Sequence, residues 1–263
     1  MLPNYPDPVL AAPEPIADRL ATAAARTLAA GTARLFAAWS TGSPIPESPD
    51  RRCEGVADLK ARRAVVSQAV MFTDGLTQRF ATELEQAGKA EEPGGMEPHE
   101  NVYDGAAVYI RVGRHWTSFA LTDPAGPREP NDPLWPLDAL AGANQDVTDL
   151  GPDTIRGVPT THYRLTVDLA RADAALPAGV SVPSGPYRSL SRLPAEVWLD
   201  EAGRARRIAV LSEPMAPAAN RIWSVTELWD FGLAVDITPP DPAEILAPAT
   251  AYRAAYPDPA SEQ

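Results

Sequence analysis

Alternation of apolar and polar residues recurs along the chain and predicts a fold built mainly from β-strands. In the segment YRLTVDL, the residues Tyr163, Leu165 and Val167 share one parity, and polar residues occupy the other. The same alternation flanks the turn signal DEAG at residues 200–203 and predicts a hairpin. The inward positions of this hairpin are Val197, Leu199, Ile208 and Val210.

Further strands are predicted on both sides of these segments. Residues 53–65 alternate so regularly that they predict one long, half-buried strand, whose small inward side chains leave room for a helix or a ligand. Its inward set is Cys53, Gly55, Ala57, Leu59, Ala61 and Val65. The other predicted strands are one over residues 32–39, one over 78–84 after a turn at 74–75, two over 102–121 around Gly113, a pair over 147–169, and a second closing hairpin over 222–240.

Two helices are predicted by apolar residues that recur every three or four positions. Residues 16–30 have one apolar stripe, which predicts a helix with a buried face that ends at Gly31. The segment DPLWPLDAL starts with Asp132, a suitable N-cap, and Pro133 suits the first helical position. Leucines at every third residue predict that this second helix is amphipathic. It is expected to be short and to end at Gly142.

These elements predict a single α+β domain with one large curved antiparallel sheet. A chain of 263 residues, 44% of them hydrophobic, can bury one large core. The domain is expected to span residues 16–242, between a Pro-rich tail at 1–15 and an Ala- and Pro-rich tail at 243–263. Residues 86–100 are rich in Gly, Pro, Glu and Lys and are expected to form a mobile surface loop. The sequence leaves open whether the second tail docks on the domain.

The formal net charge of −12 argues against nucleic acid as a partner, because such binding depends on Lys and Arg contacts to phosphates. Two basic clusters interrupt the acidic sequence, one within residues 51–63 and one formed by Arg204, Arg206 and Arg207. Both lie beside acidic residues, so we interpret them as solvated strand faces. Contact with an anionic headgroup or a partner protein is the alternative.

Cys53 is the only cysteine, so the chain has no intramolecular disulfide and no zinc site of the Cys₄ type. It follows DRR rather than the apolar signal segment that precedes a lipidated cysteine. The amino-terminal residues have no positive start and no long apolar run, so we do not expect an integral membrane protein. A cytoplasmic location is expected for the chain as written; the cell envelope is the alternative if a signal peptide precedes this start.

Catalytic motifs are absent from the sequence. His99, His115 and His162 are far apart and belong to no HExxH, GxSxG or Walker-type motif, so we interpret each as a surface or satisfied residue. Acidic pairs such as those at 91–92 and 200–201 occur in loops or turns, where solvation disfavours general acid–base work. The chain is therefore expected to be no enzyme and to need no cofactor or metal.

Seven phrases follow one another in a particular order over residues 17–240. They are GTARL, CEGVADLKARRAVV, VYDG, DPLWPLDALAGA, IRGVPTTHYRLTVDL, LPAEVWLDEAGRARRI and ELWDFGLAVDITPP. In this order and spacing they resemble actinobacterial LolA-like proteins of the LppX and LprG lipoprotein type. The sequence departs from that group because it lacks the signal peptide and the lipobox cysteine.

The resemblance implies an incomplete antiparallel β-barrel whose concave face is covered by helices and encloses an apolar pocket for acyl chains. It implies non-catalytic binding of a lipid, acyl chain or lipidated molecule, as a carrier or chaperone, without a cofactor. The candidate lining residues are Leu35, Leu59, Val65, Val108, Ile110, Tyr163, Leu165, Val167, Val197 and Leu199, with Leu137 and Leu140 on the short helix as a lid.

Ordinary core packing is the alternative for each of these residues. For the whole chain, the alternative is an interaction or regulatory module that keeps the fold with a filled pocket and binds a protein partner.

Overall fold

A computed structural model describes residues 15–45, 51–69, 99–105, 107–120, 132–143, 146–176, 191–211 and 221–255. The predicted strand at 78–84, its turn at 74–75 and most of the predicted loop at 86–100 lie outside these ranges, as do residues 1–14 of the predicted amino-terminal tail. The last two residues of that loop, His99 and Glu100, belong to a strand.

The described residues form one antiparallel sheet of eleven strands. The strands are β1 (Thr32–Thr41), β2 (Arg51–Asp58), β3 (Arg63–Ala69), β4 (His99–Asp104), β5 (Ala107–Val112), β6 (His115–Ala120), β7 (Thr148–Ile155), β8 (Val158–Asp168), β9 (Arg192–Leu199), β10 (Ala205–Leu211) and β11 (Ile222–Trp229). Their order across the sheet is β6-β5-β4-β3-β2-β1-β11-β10-β9-β8-β7. The large curved sheet predicted from the sequence is confirmed.

This strand order divides the sheet into two arms that meet at β1. Strands β2 to β6 follow one another on one side of β1, and β11 back to β7 follow on the other. The last strand, β11, pairs with β1 along its length, for example Phe36 with Glu227. Because β6 and β7 lie at opposite edges, the chain between them must cross the whole sheet.

Four helices accompany the sheet in the described ranges: α1 (Ile16–Ala29), α2 (Trp135–Leu140), α3 (Leu169–Ala175) and α4 (Pro248–Ala255). The predicted first helix is confirmed, and its buried stripe includes Leu20, Ala24 and Thr27. Sequence reasoning missed α3 and continued the preceding strand into it. Asp168 caps α3 by accepting a hydrogen bond from the backbone N–H of Arg171 at 3.1 Å.

Residues 246–255 pack against the edge of the sheet that is formed by β5 and β6. The backbone N–H of Leu246 donates to the carbonyl of Trp116 on β6 at 2.8 Å, and α4 contacts β5 and β6. Ala251 of α4 is fully buried in the main core. Residues 243–255 of the predicted tail therefore dock on the domain.

The prediction of one long strand over residues 53–65 is wrong, because β2 and β3 are separate strands joined by a turn. The Asp58 carboxylate accepts the backbone N–H groups of Lys60 and Ala61, and Arg62 adopts a left-handed conformation with φ of 56°. The turn reverses the parity beyond it. Ala64 and Val66 therefore face the core, while Val65 lies half-buried on the opposite parity.

Two further turn predictions need correction. Residues 102–121 hold three strands rather than two, because the chain also turns at Gly105, whose φ is +59°. The final phrase holds only β11, since residues 230–241 form no strand. The predicted hairpin turns at 200–203 and at Gly113 are confirmed.

The outer face of the sheet has its own polar cluster around the fully buried Trp198. Its indole Nε1 donates to the Asp153 carboxylate at 2.7 Å, and its ring stacks on His162 with centroids 3.9 Å apart. His162 and Arg164 both contact the buried Glu196 carboxylate, at 2.8 and 2.9 Å. His162 is thus a satisfied residue, as the sequence predicts.

Gly142 holds the end of α2 against the start of α3. Its carbonyl accepts the N–H of Asp168 at 2.9 Å, and a Cβ at position 142 would lie 2.1 Å from the Asp168 carbonyl oxygen. No side chain therefore fits without moving one of the two helices.

We expect Gly142→Ala to lower the free energy of unfolding by about 2 kcal/mol or more, because the clash involves backbone on both sides. Gly105→Ala is the matched control: its Cβ meets open space, so only the positive φ opposes it, at a cost of about 1 kcal/mol. Urea denaturation of both variants measures the difference. Equal losses would contradict the tight approach at Gly142.

Candidate apolar site on the concave face

Helix α2 occupies the concave face of the sheet because it belongs to the connection that crosses from β6 to β7. It packs on β8, β10 and β11 and also contacts α1 and α3. All six of its residues are buried, including Trp135 at 2% and Asp138 at 4% exposure. The prediction of an amphipathic helix is therefore wrong, since α2 has no solvent-facing side.

The buried carboxylate of Asp138 is paired with Arg62 from the turn between β2 and β3. Arg62 Nη1 donates to Asp138 Oδ1 at 2.7 Å, and Nη2 donates to Oδ2 in a parallel second bond. This bidentate pair joins α2 to one arm of the sheet. The other arm holds the same segment through Thr226 on β11, whose hydroxyl donates to the Pro133 carbonyl at 2.6 Å.

Asp132 lies three residues before the first residue of α2, and the N-cap position is occupied by Leu134 rather than by Asp132 as the sequence predicts. The Asp132 carboxylate accepts the backbone N–H of Leu134 at 2.8 Å. Desolvation by burial, with the charge of Asp138 added, raises the pKa of Asp132 from 3.8 to about 7. Burial also raises the pKa of Asp138, against the hydrogen bond and charge of Arg62. Arg62 thus pairs directly with Asp138, and its positive charge also acts on Asp132, whose pKa it lowers against the effect of burial.

The structure gathers eleven of the twelve candidate lining residues into one apolar cluster on the concave face. They are Leu35 on β1, Leu59 in the turn between β2 and β3, Val108 and Ile110 on β5, Leu137 and Leu140 on α2, Tyr163, Leu165 and Val167 on β8, and Val197 and Leu199 on β9. All eleven are buried. Val65 is the exception, because the turn at 59–62 places it on the other parity.

This cluster, which we call the concave-face cluster, extends over both arms of the sheet. Val108 and Ile110 lie on the arm that ends at β6, and the β8 and β9 residues lie on the arm that ends at β7.

Two buried polar atoms, Trp135 Nε1 and Thr117 Oγ1, have no hydrogen-bond partner among the described residues. Polar atoms of this kind fix the orientation of a ligand in an otherwise apolar site.

Sequence reasoning missed the ion pair of Arg62 and Asp138 and the role of Asp132. The available signal was an acidic residue within the apolar run DPLWPLDAL, which implies a partner when the run is buried. Among the described residues, no three His, Cys, Asp or Glu side chains are placed to hold a metal ion. No helix in the described ranges has the length and apolar composition needed to cross a membrane.

No protein-family model and no curated protein sequence matches this chain. Solved structures do match. LprF from Mycobacterium bovis aligns with a TM-score of 0.51 at 16% identity, over 87% of this chain and 98% of LprF. The lipoprotein LppX of Mycobacterium tuberculosis aligns with a TM-score of 0.46 at 10% identity, over 84% and 99% of the two chains. A LolA superfamily protein from Nitrosomonas europaea aligns with a TM-score of 0.29 at 9% identity, over 81% of this chain and 90% of that one.

The match to LprF shows that the chain has a LolA-like fold, an open, curved antiparallel sheet with helices on its concave face. This confirms the fold expected from the order of the sequence phrases.

Asp132 makes stability depend on pH with a definite sign. Its pKa is raised from 3.8 to about 7, so the folded state keeps a proton that the unfolded chain releases between those values. The contribution of protonated Asp132 to the free energy of unfolding is fully present below about pH 4 and is lost as the pH rises to about 7.

Asp132→Asn keeps an oxygen for the Leu134 N–H and removes the carboxylate. We expect the variant to be more stable than wild type by about 1 kcal/mol or more at pH 8, and equally stable at pH 4. Asp153→Asn is the control. Hydrogen bonds from the Thr154 N–H and from Trp198 lower the pKa of Asp153, so this variant is expected to be less stable than wild type at pH 8, and by less at pH 4. Urea denaturation at both pH values tests this; a pH-independent effect of Asp132→Asn would contradict it.

Proposed function

We propose that this chain binds a lipid or another hydrophobic ligand, without chemical conversion, between the concave face of the sheet and its covering helices. The observation that carries the proposal is the concave-face cluster, which brings eleven apolar residues from both arms and α2 together. An acyl chain needs little more than such a surface, since each buried methylene contributes about 0.8 kcal/mol. The LolA-like fold supports the same role.

The charged groups inside the fold also support a binding role rather than a catalytic one. Asp138 has both oxygens engaged by Arg62, and Asp132 accepts a backbone N–H at the start of α2. These groups hold α2 in place beside the apolar surface. In this proposal they position the helix, and the apolar residues contact the ligand.

A second candidate function rests on the burial of α2. Trp135, Leu137 and Leu140 insert into the concave face and fill part of the space that a ligand would occupy. A chain that keeps the fold with a filled interior would act through its surface as an interaction or regulatory module. Its partner would then be a protein.

Native mass spectrometry of the full chain, with organic extraction of material purified from an actinobacterial host, distinguishes the two functions. A stoichiometric lipid in the extract, or uptake of a fluorescent fatty acid by the stripped protein, is the result expected for a carrier. A clean unliganded mass together with no uptake contradicts the carrier proposal and favours the interaction module.

We expect Leu165→Trp to reduce fatty-acid uptake at least tenfold, because an indole in the middle of the concave-face cluster displaces several methylene groups of the ligand. Leu150→Trp on β7 is the matched control, since Leu150 is an exposed residue outside the cluster. Fluorescence titration measures uptake, and circular dichroism verifies folding.

Ile110→Phe on the other arm provides a second, smaller change in case Leu165→Trp does not fold. Folded cluster variants that take up the fatty acid as well as wild type would contradict the proposed site.

A further inference from the structure

Arginine side chains from α1 and from the turn between β9 and β10 meet at one end of the sheet. Arg204 and Arg206 both donate to Asp200 Oδ2, at 3.0 and 2.9 Å. Arg19 of α1 donates to the backbone carbonyl of Asp200 at 3.2 Å. Arg26, two turns further along α1, lies so close to Gly203 that a Cβ at position 203 would meet its Nη1 at 2.6 Å.

A β-bulge at the start of β10 brings Arg206 into this group. Ala205 pairs with Leu199 and Arg207 pairs with Trp198, so Arg206 is the additional residue in the strand. As a result, Arg206 joins Arg204, whereas Arg207 lies on the outer face and donates to Glu227 at 2.8 Å. Bulges often re-aim a side chain beside a functional site.

The ring of Phe231 forms a platform for the two guanidinium groups. The Cζ atoms of Arg204 and Arg206 lie 4.8 and 4.7 Å from its centroid. The contacts with this ring and with Asp200 restrict both groups, and their side chains are only 32% and 11% exposed. Two oriented donors in a partly dehydrated setting bind an oxyanion more strongly than mobile surface arginines do.

The charges in this group are unbalanced. Burial raises the pKa of Asp200, but hydrogen bonds from the Arg204 N–H and from both side chains outweigh it and lower that pKa overall. Asp200 is therefore ionised. Arg204, Arg206 and Arg19 bring three positive charges to this turn, against two negative charges, those of Asp200 and of the exposed Glu201. This excess occurs in a chain whose net charge is −12.

We propose that Arg204, Arg206 and Arg19, arranged around Asp200 and Phe231, form a binding site for a phosphate-type oxyanion. The group belongs either to a lipid headgroup or to a free phosphorylated molecule. The site lies apart from the concave-face cluster and does not depend on the function proposed for it. It gives a role to the basic residues that the sequence pattern alone assigns to a solvated strand face.

Phosphorus NMR titration of the full chain with inorganic phosphate, at constant ionic strength, tests the site directly. We expect saturable binding to the wild type, weakened at least tenfold by the double variant Arg204→Gln, Arg206→Gln. The control pair Arg111→Gln, Arg164→Gln removes the same charge from exposed residues elsewhere and is expected to change the affinity less than twofold. Glu201→Gln removes an exposed acid from the same turn and is expected to strengthen binding.

Two outcomes would overturn the proposal: no saturable phosphate binding to the wild type, or an equal loss in both double variants. Circular dichroism verifies folding; if the glutamine pair unfolds, Arg204→Lys, Arg206→Lys keeps the charge, loses the planar donors and is still expected to weaken binding. Co-sedimentation with phosphatidylcholine vesicles, with and without phosphatidylglycerol, then identifies the source. Binding to the anionic vesicles that the glutamine pair abolishes indicates a headgroup, and phosphate binding without vesicle binding indicates a free ligand.

Discussion

The placement of β6 and β7 at opposite edges of one sheet constrains the rest of the structure. The chain must pass from one edge of the sheet to the other between them, and α2, which belongs to this connection, packs on β8, β10 and β11. A charge on a buried helix needs a partner, so Asp138 depends on the bidentate bond from Arg62. Thr226 and Gly142 complete the attachment to β11 and α3. The covering of the concave face therefore rests on a few polar contacts within an apolar interior.

The two faces of the sheet carry different kinds of residue, because successive side chains along a strand point to opposite faces. The concave parity carries aliphatic and aromatic residues, which form the main core with α1 and α2. The outer parity carries the network around Trp198, Glu196 and Glu227, in which Arg156 at the hairpin between β7 and β8 reaches Glu227 on β11 at 2.8 Å. These outer contacts tie strands of one arm together. The concave side is left as the apolar surface suited to a hydrophobic ligand.

Local patterns predict much of this fold, and long-range geometry accounts for most of the failures. Alternation and turn signals such as DEAG identify strands and hairpins, and one-parity residues such as Leu165 enter the predicted core. Val65 was misplaced because the turn before it contains no Gly or Pro and relies on Arg62 in a left-handed conformation. The pairing of Arg62 with Asp138, 76 residues later, depends on the path of the crossing segment, which no local pattern reveals.

Photo-crosslinking with a diazirine-bearing fatty acid, followed by peptide mapping, tests the central claim most directly. An acyl chain held beneath the helices should label residues of the concave-face cluster, such as Ile110 on β5 and Leu140 on α2. It should leave outer-face residues such as Phe36 and Trp223 unlabelled. Two results would contradict a ligand site in the interior of this fold. One is labelling confined to the outer face, and the other is labelling that unlabelled fatty acid does not reduce.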